Sequence, residues 1–402
     1  VPDDTNQLLA DTLQLTVTDC RELSQVLMDR TGGNPFYLCQ QLYALESEGS
    51  LRIDRAQHRW VWDEALLQSL QAQDSVVGLM LRNIKSLPAN TQHTLSIAAC
   101  IGNRFETSTL ATIIRRPQTD ILMDLDPALQ RGLIILSNGQ GRFSHDRIQE
   151  AAYAFIPKSD RPKWHLEIGR LLLAATPEEN LKEEIFKIVS HLNAGRALIA
   201  SGSKRLDLAK LNLMAGQKAI DTSAFADGKK YVEIGLGLLG SDSWQEQYEL
   251  TLSLHNKNAE LATLTKQYDQ IPSIAKLIHT HAKGPLDQLR LHMIRIEAEG
   301  AQYNFPKALE IGLDVLRDLG VEIPAQPSQE DIQDVTRIFN DMLTSRPRRS
   351  LAELPEMTDE TALFASAIFA SIGAASFTVN PPLFPIICTR GAILTLEFGF
   401  NT

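Results

Sequence analysis

Residues 133–155 read LIILSNGQGRFSHDRIQEAAYAF. Two short apolar runs flank Asn138-Gly139, a pair that favours a tight hairpin because both central residues of that turn take positive φ. A helix is expected to follow, with Asp146 as its N-cap and Gln149 three residues later. The inner face of that helix is formed by Ile148, Ala151, Ala152 and Phe155. This stretch therefore predicts a hairpin that leads directly into a helix.

Helical patterns precede this hairpin. An apolar stripe begins at Val76 and ends at Leu87-Pro88, and further helices are expected at residues 91–101, 108–114 and 120–131. Several helices followed by a hairpin are typical of a winged helix, in which the hairpin is the wing. We therefore interpret residues 73–157 as a winged-helix domain.

The first 72 residues predict two helices and a small hairpin. Asp19 is expected to cap the first helix. Asn34 is a good N-cap for the second helix, and Pro35 suits its first position because the missing N–H costs nothing there. Short paired strands are expected at residues 51–54 and 59–62. We interpret residues 1–72 as a helical lid with a β-hairpin.

Residues 158–402 show helix after helix with little strand pattern. Three aromatic residues, Phe225, Tyr268 and Tyr303, each stand before a helix, 43 and then 35 residues apart. That spacing is near the period of helical-hairpin repeats, in which each pair buries its apolar face against the next. The three aromatic side chains are expected to pack in the core. The whole chain is thus predicted to be mainly α, ending in a TPR-like α-superhelix.

Composition indicates a protein with a sizeable core. Of 402 residues, 44% are hydrophobic, and 39 basic residues stand against 49 acidic ones, a net charge of −10. This balance argues against a general nucleic-acid binder, which needs an excess of cations. The four cysteines lie far apart without metal-ligand spacing, so a cytoplasmic protein with reduced thiols and no metal is expected. They are Cys20, Cys39, Cys100 and Cys388.

Two features predict that the chain is a piece of a larger protein. It begins with Val1 rather than Met, and it ends just after an apolar segment.

Residues 361–389 carry no charge, but Asn380-Pro381-Pro382 interrupts them and small residues are frequent. A spanning helix needs about 20 strongly apolar residues in a row. We therefore expect closely packed helices and no membrane span.

Three stretches carry a resemblance to a known family: residues 30–36 (RTGGNPF), 98–103 (AACIGN) and 143–153 (FSHDRIQEAAY). Together they resemble the STAND-class, AAA-like ATPase region of large bacterial signalling proteins. Those proteins join a serine/threonine kinase, the signal-transduction ATPase, a GAF sensor and a histidine kinase of the two-component type. The resemblance covers most of the chain and is clearest from residue 8 to about residue 320.

The resemblance implies a P-loop core, then a lid, a winged helix and a repeat superhelix that senses a protein partner or other domains of the same polypeptide. This chain has no G-x-x-x-x-G-K-[ST], and its Gly228-Lys229 lacks the rest of that loop. It also lacks paired carboxylates and a nucleophile motif. We expect no catalytic residue and no cofactor in this piece. ATP or ADP, with Mg²⁺, is implied only for a full-length kinase or ATPase.

The same resemblance suggests a lid-side half of a nucleotide site. A Gly-x-Pro turn on the lid packs against the adenosine in related switches, which corresponds here to Gly33, Asn34 and Pro35. A Met-His-Asp motif reaches the β-phosphate of ADP in plant and animal relatives. Phe143, His145 and Asp146 are similar in type and place, with Ser144 as an extra or shifted residue. A histidine N–H near the diphosphate favours the closed, ADP-bound state.

Each of these assignments has a structural alternative. Asn34 and Pro35 are fully explained as a cap and a first-turn proline. His145 is explained as a strand-end residue before a helix capped by Asp146. Arg115-Arg116 in a winged helix suggests DNA, but the acidic helix that follows would repel phosphates. His279 and His281 suggest a metal, although no third ligand is obvious.

Three functions remain open from the sequence. The first is a regulatory module that closes over nucleotide held upstream. The second is a protein-interaction scaffold with no link to nucleotide. The third is the regulatory part of a STAND-type transcription regulator.

Overall fold

The computed structural model describes residues 2–55, 57–62, 76–200, 202–284, 286–345 and 354–400. Helices dominate, with two small antiparallel sheets, so the predicted mainly α class is confirmed. The chain divides into two compact units. The first is Val1–Pro177 with Ser190–Ile199, and the second is Glu178–Val189 with Ala200–Thr402. The boundary expected at residues 72 and 73 lies outside the described residues, and the predicted domain limits stay predictions.

The first unit opens with three helices and a hairpin. They are α1 (Pro2–Leu13), α2 (Arg21–Thr31), α3 (Pro35–Ser47), β1 (Leu51–Asp54) and β2 (Arg59–Trp62). The two strands pair antiparallel, as the sequence predicts. One apolar cluster joins α2, α3 and β1 through Leu23, Leu27, Leu38, Leu45 and Leu51. This cluster packs α3 against α2 and β1.

The expected N-cap at Asp19 is wrong. Cys20 holds the N-cap position of α2, and its side chain makes no capping hydrogen bond. The Asp19 carboxylate instead accepts a hydrogen bond from the Thr16 hydroxyl at 2.7 Å, and the Asp19 N–H donates back to that hydroxyl oxygen at 3.2 Å. This reciprocal pair closes the turn before the helix and turns the carboxylate away from the helix N–H groups.

The start of α3 agrees with the sequence. The Asn34 side-chain oxygen accepts from the Phe36 N–H at 3.0 Å, and Pro35 occupies the first turn. Gly32 and Gly33 precede this cap with φ of 60° and 75°. Two successive left-handed residues are readily formed only by glycine. The Gly-Gly-Asn-Pro sequence therefore ends one helix and starts the next within four residues.

The rest of the first unit is a helical cluster around a three-stranded sheet. It contains α4 (Val76–Lys85), α5 (Ala89–Ile101), α6 (Thr107–Ile114), α7 (Gln118–Gln130), α8 (Asp146–Ala154), α9 (Arg161–Ala175) and the end of α10 (Glu178–Ala194). The strands are β3 (Arg104–Glu106), β4 (Ile134–Ser137) and β5 (Gln140–Phe143), in the order β3-β5-β4. The sequence missed β3, which is too short to show alternation. The winged-helix interpretation stays a prediction.

The hairpin between β4 and β5 is confirmed. Asn138 and Gly139 have φ of 50° and 77°, the positive values that the turn requires. The strands pair from Ile134 with Phe143 to Ser137 with Gln140. Phe143 is buried in a core shared with α4 to α8. The hairpin thereby fixes the position of residues 144–146, which follow it directly.

The second unit is a series of helices. After the start of α10 it contains α11 (Gly202–Asp221), α12 (Phe225–Leu238), α13 (Ser243–Glu246), α14 (Tyr248–Leu264), α15 (Ile271–His281), α16 (Leu289–Ala301), α17 (Phe305–Asp318), α18 (Gln329–Thr344), α19 (Glu360–Val379) and α20 (Leu383–Phe398). Helices α11 and α12, α14 and α15, and α16 and α17 pack as successive pairs, and the first helices of the pairs contact one another in order.

The three pairs share one turn. Ser223, Lys266 and Tyr303 each have φ of 60°. The residue after each of them donates its N–H to a carbonyl five residues earlier, at 2.7, 2.7 and 2.9 Å. This is the Schellman ending of a helix, with a non-glycine residue at the left-handed position. The same turn therefore recurs between the two helices of each pair.

The common turn corrects the predicted repeat register. Phe225 and Tyr268 follow the left-handed residue by two positions, whereas Tyr303 is itself the left-handed residue. The true counterpart of the first two aromatics is Phe305, which packs on the core of the last pairs. Tyr303 is 82% exposed, so the expectation that it lies in the core is wrong. Matching the three aromatic residues gave the wrong register because the repeating feature is the position of the left-handed turn, and Tyr303 occupies that turn.

By length and composition, one helix of the described residues is able to cross a membrane, Glu360–Val379. In the structure its Phe364, Ile368 and Ile372 are buried against α17. A β-carbon on Gly312 of α17 would lie 2.2 Å from Ile372, so glycine is what lets the two helices approach. This helix forms part of the core of the second unit, as its small residues predict.

Lys266→Gly is expected to stabilise the second unit by about 0.5–1 kcal/mol. Glycine removes the cost of a left-handed side chain, and its greater freedom in the unfolded chain offsets part of the gain. Urea denaturation of the 402-residue chain measures the difference. Gly320 ends α17 with the same turn at φ of 78°. Gly320→Ala should therefore lower the free energy of unfolding by a similar amount. Lys276→Gly, in the interior of α15, should also destabilise; a gain there would contradict the explanation.

Acid is expected to destabilise the second unit. Burial lowers the pKa of His255 and of His292 to about 4, with the charges of His281 and Arg295 acting in the same direction. The folded chain then keeps both rings neutral while the unfolded chain takes up protons below about pH 6.5. The free energy of unfolding should be level above pH 6.5 and fall as the pH drops towards 4.

His255→Phe isolates this effect. The ring of His255 stacks on Trp244 with centroids 5.2 Å apart, and phenylalanine retains a flat ring without a titrating group. Urea denaturation at pH 7 and pH 5 should show a smaller loss of stability in this variant than in the wild type. His58 is exposed, and His58→Asn serves as the control with an unchanged loss. Equal losses in all three proteins would refute the assignment.

Candidate functional site at the start of helix α3

Helix α3 brings two aromatic rings to His145. The Phe36 ring stacks on the imidazole with centroids 5.4 Å apart and an interplanar angle of 10°. The Tyr37 hydroxyl lies 3.2 Å from Nε2 of His145. Asn34 and Pro35 are exposed in the turn that precedes these rings. Within the first unit, the structure thus places His145 against the first turn of α3, directly after the predicted Gly33-Asn34-Pro35 motif.

The hydrogen bonds of His145 define its tautomer. The N–H of Arg147 donates to Nδ1 at 3.1 Å, so Nδ1 is the acceptor and the ring proton lies on Nε2. Nε2–H then donates to the Tyr37 hydroxyl oxygen. His145, rather than Asp146, is the N-cap of α8, which corrects the predicted cap. The imidazole reaches the helix N–H groups because the residue is extended, with φ of −155° and ψ of 146°.

All three stretches of the resemblance meet here. Asn103 donates its side-chain N–H to the Asp146 carboxylate at 3.1 Å, and its carbonyl accepts from the Phe143 N–H at 3.0 Å. Gln149 donates to the Ala99 carbonyl at 2.8 Å rather than back to the start of its own helix. The end of α5 and the start of α8 are therefore held together by side-chain bonds that position His145.

Gly33 has a structural role at this site. Its φ of 75° is left-handed, and a β-carbon there would lie 2.8 Å from the sulfur of Met28. Asn34 caps α3 and Pro35 opens it. The structure therefore gives each of these three residues a role in the fold, and their predicted contact with adenosine stays a prediction.

The fit of a diphosphate can be judged from the groups that surround His145. Nε2–H is a suitable donor once it leaves Tyr37, and Arg147 is exposed, paired with Glu150 at 2.8 Å. The Asp146 carboxylate is unfavourable for a phosphate. One N–H and one paired arginine fit a peripheral phosphate contact rather than a complete site. Most phosphate contacts would have to come from another part of the protein.

Arg115 and Arg116 have structural partners. Arg115 pairs with Glu167 at 2.9 Å. Arg116 pairs with Asp124 at 2.6 Å, and that buried carboxylate also accepts from the Thr94 hydroxyl at 3.1 Å. The acidic residues that argued against DNA in the sequence thus hold one of these arginines in place.

His279 and His281 turn to different partners. Nδ1 of His279 lies 2.9 Å from the Gln288 side-chain oxygen. Nδ1–H of His281 donates to the Leu277 carbonyl at 2.9 Å, and its ring stacks on Trp244 at 4.6 Å. In the part of the chain that the structure describes, no group of three or more potential ligands is placed to hold a metal ion.

Gly228-Lys229, the partial match to a P-loop sequence, also has a structural role. Lys229 is buried, and its ammonium donates to Asn258 at 2.6 Å and to Gln270 at 2.8 Å. Burial lowers its pKa, with Glu233 opposing that shift. This lysine links α12 to α14 and to the turn before α15.

A basic groove in the second unit was missed by the sequence analysis. The first helices of the pairs, α11, α14 and α16, line it together with the start of α10, around a cavity of about 550 Å³. Its cationic side chains are Lys182, Lys210, Lys257 and Arg290. Glu260 bonds both Lys257 and Arg290, at 2.8 and 2.9 Å. Four cations from four separate helices form no run in the sequence, so no local pattern reveals the groove.

Comparisons with known proteins give two similarities. No family model matches the chain. The chain is 24% identical over 404 aligned residues, covering 85% of its length, to hybrid signal transduction histidine kinase G of Dictyostelium discoideum. It spans only 12% of that protein. Among solved structures, it is similar to a signal transduction ATPase with numerous domains (STAND) protein with a tetratricopeptide repeat sensor from Pyrococcus horikoshii. That match has a TM-score of 0.36 and 10% identity, and it covers 99% of this chain and 60% of the other.

Proposed function

We propose that this chain is a regulatory and protein-interaction module of a multidomain signal-transduction ATPase or kinase. In this proposal the first unit closes over nucleotide held by an upstream P-loop domain, and the helical repeats bind a partner that biases the closure. The contact between Tyr37 and His145 carries the proposal, because it joins the residue that directly follows the first motif to the histidine of the second motif expected to face nucleotide. The histidine kinase relative supports a place in signalling.

The chemistry of the proposed switch is an exchange of hydrogen-bond acceptors. Without nucleotide, Nε2–H of His145 donates to Tyr37. With ADP present, the same N–H would donate to a phosphate oxygen, and Tyr37 would turn to water. Bonds to charged acceptors are roughly twice as strong as neutral ones, so the phosphate wins if the upstream core presents it. ADP would then stabilise the closed, inactive state.

The basic groove is the proposed partner surface of the repeats. Three of its four cations lie on the first helices of successive pairs, where an extended segment would contact several repeats at once. Partners with acidic residues suit it by charge. Other domains of the same polypeptide are candidates on the same grounds.

Two alternatives keep the fold and drop parts of this mechanism. In a nucleotide-independent scaffold, Tyr37 and His145 would only fasten α3 to α8. In the regulatory part of a STAND-type transcription regulator, the same switch would control a DNA-binding module located elsewhere. Arg115 and Arg116, the arginines that suggested DNA, both pair with carboxylates, so they give no support to DNA binding by this chain.

ADP titration tests the exchange, in a protein that carries an upstream P-loop core together with these 402 residues. His145→Asn keeps a good capping side chain but removes the ring N–H. It should weaken ADP binding about tenfold, or about 1.4 kcal/mol. Tyr37→Phe removes the competing acceptor and should tighten binding by a few-fold. Isothermal calorimetry measures both.

The two variants have opposite expected signs, which separates the exchange from a general loss of structure. Tyr43 lies on α3 with an exposed ring, so Tyr43→Phe is the matched control with unchanged affinity. Unchanged affinity in both His145→Asn and Tyr37→Phe would make the pair structural and favour the scaffold. Weaker binding in both would point to misfolding of the lid, and thermal melts would reveal it.

A further inference from the structure

A second cavity lies within the repeat unit, apart from the basic groove. It measures about 740 Å³ and is formed by α15, α16 and α17 with Phe364 of α19. Small-molecule sites commonly enclose about 300–1,000 Å³. One stripe of α16 faces it, because the lining residues on that helix recur at helical spacing: Leu291, His292, Arg295, Ala298 and Glu299.

The floor of the cavity is apolar. Leu291, Ala298, Val315 and Phe364 are buried and line it. Such a surface accepts an aliphatic or aromatic body of a ligand. The cavity is bounded by helices on several sides, which suits a compact molecule better than an extended peptide.

His292 supplies a polar group that lacks a partner. Its Nδ1 is buried with no hydrogen bond. The ring as a whole is partly exposed and lines the cavity, so Nε2 is the nitrogen left to meet a ligand. Burial keeps the ring neutral, with a pKa of about 4. A neutral imidazole whose Nδ1 has no partner holds its proton best on Nε2, where an acceptor can reach it.

Two cations line the same cavity as this histidine. Arg295 lies three residues further along α16, on the same face, and Lys276 projects from α15. Among the described residues neither side chain forms an ion pair with a carboxylate. The acids of the wall are Glu299, which accepts from Asn304 at 2.8 Å, and Asp318. The lining thus combines an apolar floor, one N–H donor, two cations without an ion pair, a third cation (Lys307) paired with Glu310 at 2.7 Å, and two carboxylates.

We propose that this cavity binds a small organic anion with an apolar body, such as an aromatic or aliphatic carboxylate or sulfonate. The acidic group meets Arg295, Lys276 and Nε2–H of His292, and the body lies on Leu291, Val315 and Phe364. The site gives the repeat unit of the proposed function a small-molecule input. Its test needs no nucleotide, so either proposal can fail while the other stands.

The experiment titrates the 402-residue chain with 8-anilinonaphthalene-1-sulfonate at pH 7.5 and follows fluorescence and heat. Saturable binding of one equivalent is expected, displaced by 2-naphthoate and much less by the neutral 2-naphthylmethanol. Arg295→Gln and Lys276→Gln should each weaken binding at least five-fold. His292→Phe keeps a flat ring but removes the N–H donor, and it should also weaken binding at least five-fold.

Arg317 on α17 is exposed and pairs with Asp314 at 2.9 Å, outside the cavity lining. Arg317→Gln removes one positive charge and should leave binding unchanged. If a thermal melt shows that His292→Phe does not fold, Arg295→Gln and Lys276→Gln still test the proposal. Absence of a saturable site, equal displacement by the neutral alcohol, or equal effects of Arg295→Gln and Arg317→Gln would each overturn the proposal.

Discussion

Burial of an apolar face that one helix pair cannot cover by itself is the constraint on which the second unit depends. Helix α16 shows it most clearly. Leu291 and Ile294 pack with α14 and α15, while Ile296 packs with α17 and α19. Other side chains of α16, including His292 and Arg295, face the cavity and are not completely covered by neighbouring helices. The cavity and the groove therefore arise from the stacking, because each first helix has more surface than its neighbours can bury.

The same constraint explains the composition of α19. A β-carbon at Gly312 would meet Ile372, so α17 and α19 approach as closely as their backbones allow. Close packing favours small residues, and alanine, serine and glycine are frequent in α19. A helix that looks able to cross a membrane by hydropathy is here a core helix whose Phe364 also lines the cavity.

Local signals in the sequence predicted the elements well. Asn138-Gly139 defined the hairpin, and Asn34 with Pro35 defined the start of α3, because each depends on the conformation of a few adjacent residues. The caps at Asp19 and Asp146 were wrong because a neighbouring side chain competed for the position. Thr16 bonds Asp19, and His145 reaches the helix N–H groups ahead of Asp146.

Non-local features could not be predicted in the same way. Tyr37 follows its motif directly, yet nothing in its neighbours indicates a partner 108 residues away. The groove is formed by cations from four helices that are far apart in the sequence. The correct repeat register became visible only from the turn geometry, which places Tyr303 in solvent. The resemblance brought His145 to attention, and only the fold showed that its N–H already has an acceptor.

That acceptor limits what the histidine can contribute to a switch. A neutral hydrogen bond such as the one that His145 donates to Tyr37 is worth about 0.5–1.5 kcal/mol net, and one to a charged group about 1.5–3 kcal/mol. Exchanging one for the other gains about 1 kcal/mol, or five- to tenfold in affinity. A shift from nearly all open to nearly all closed requires about 5.5 kcal/mol of differential binding. In the proposed closure, His145 would therefore supply only a small part of the free energy, and a P-loop core would have to supply most of it.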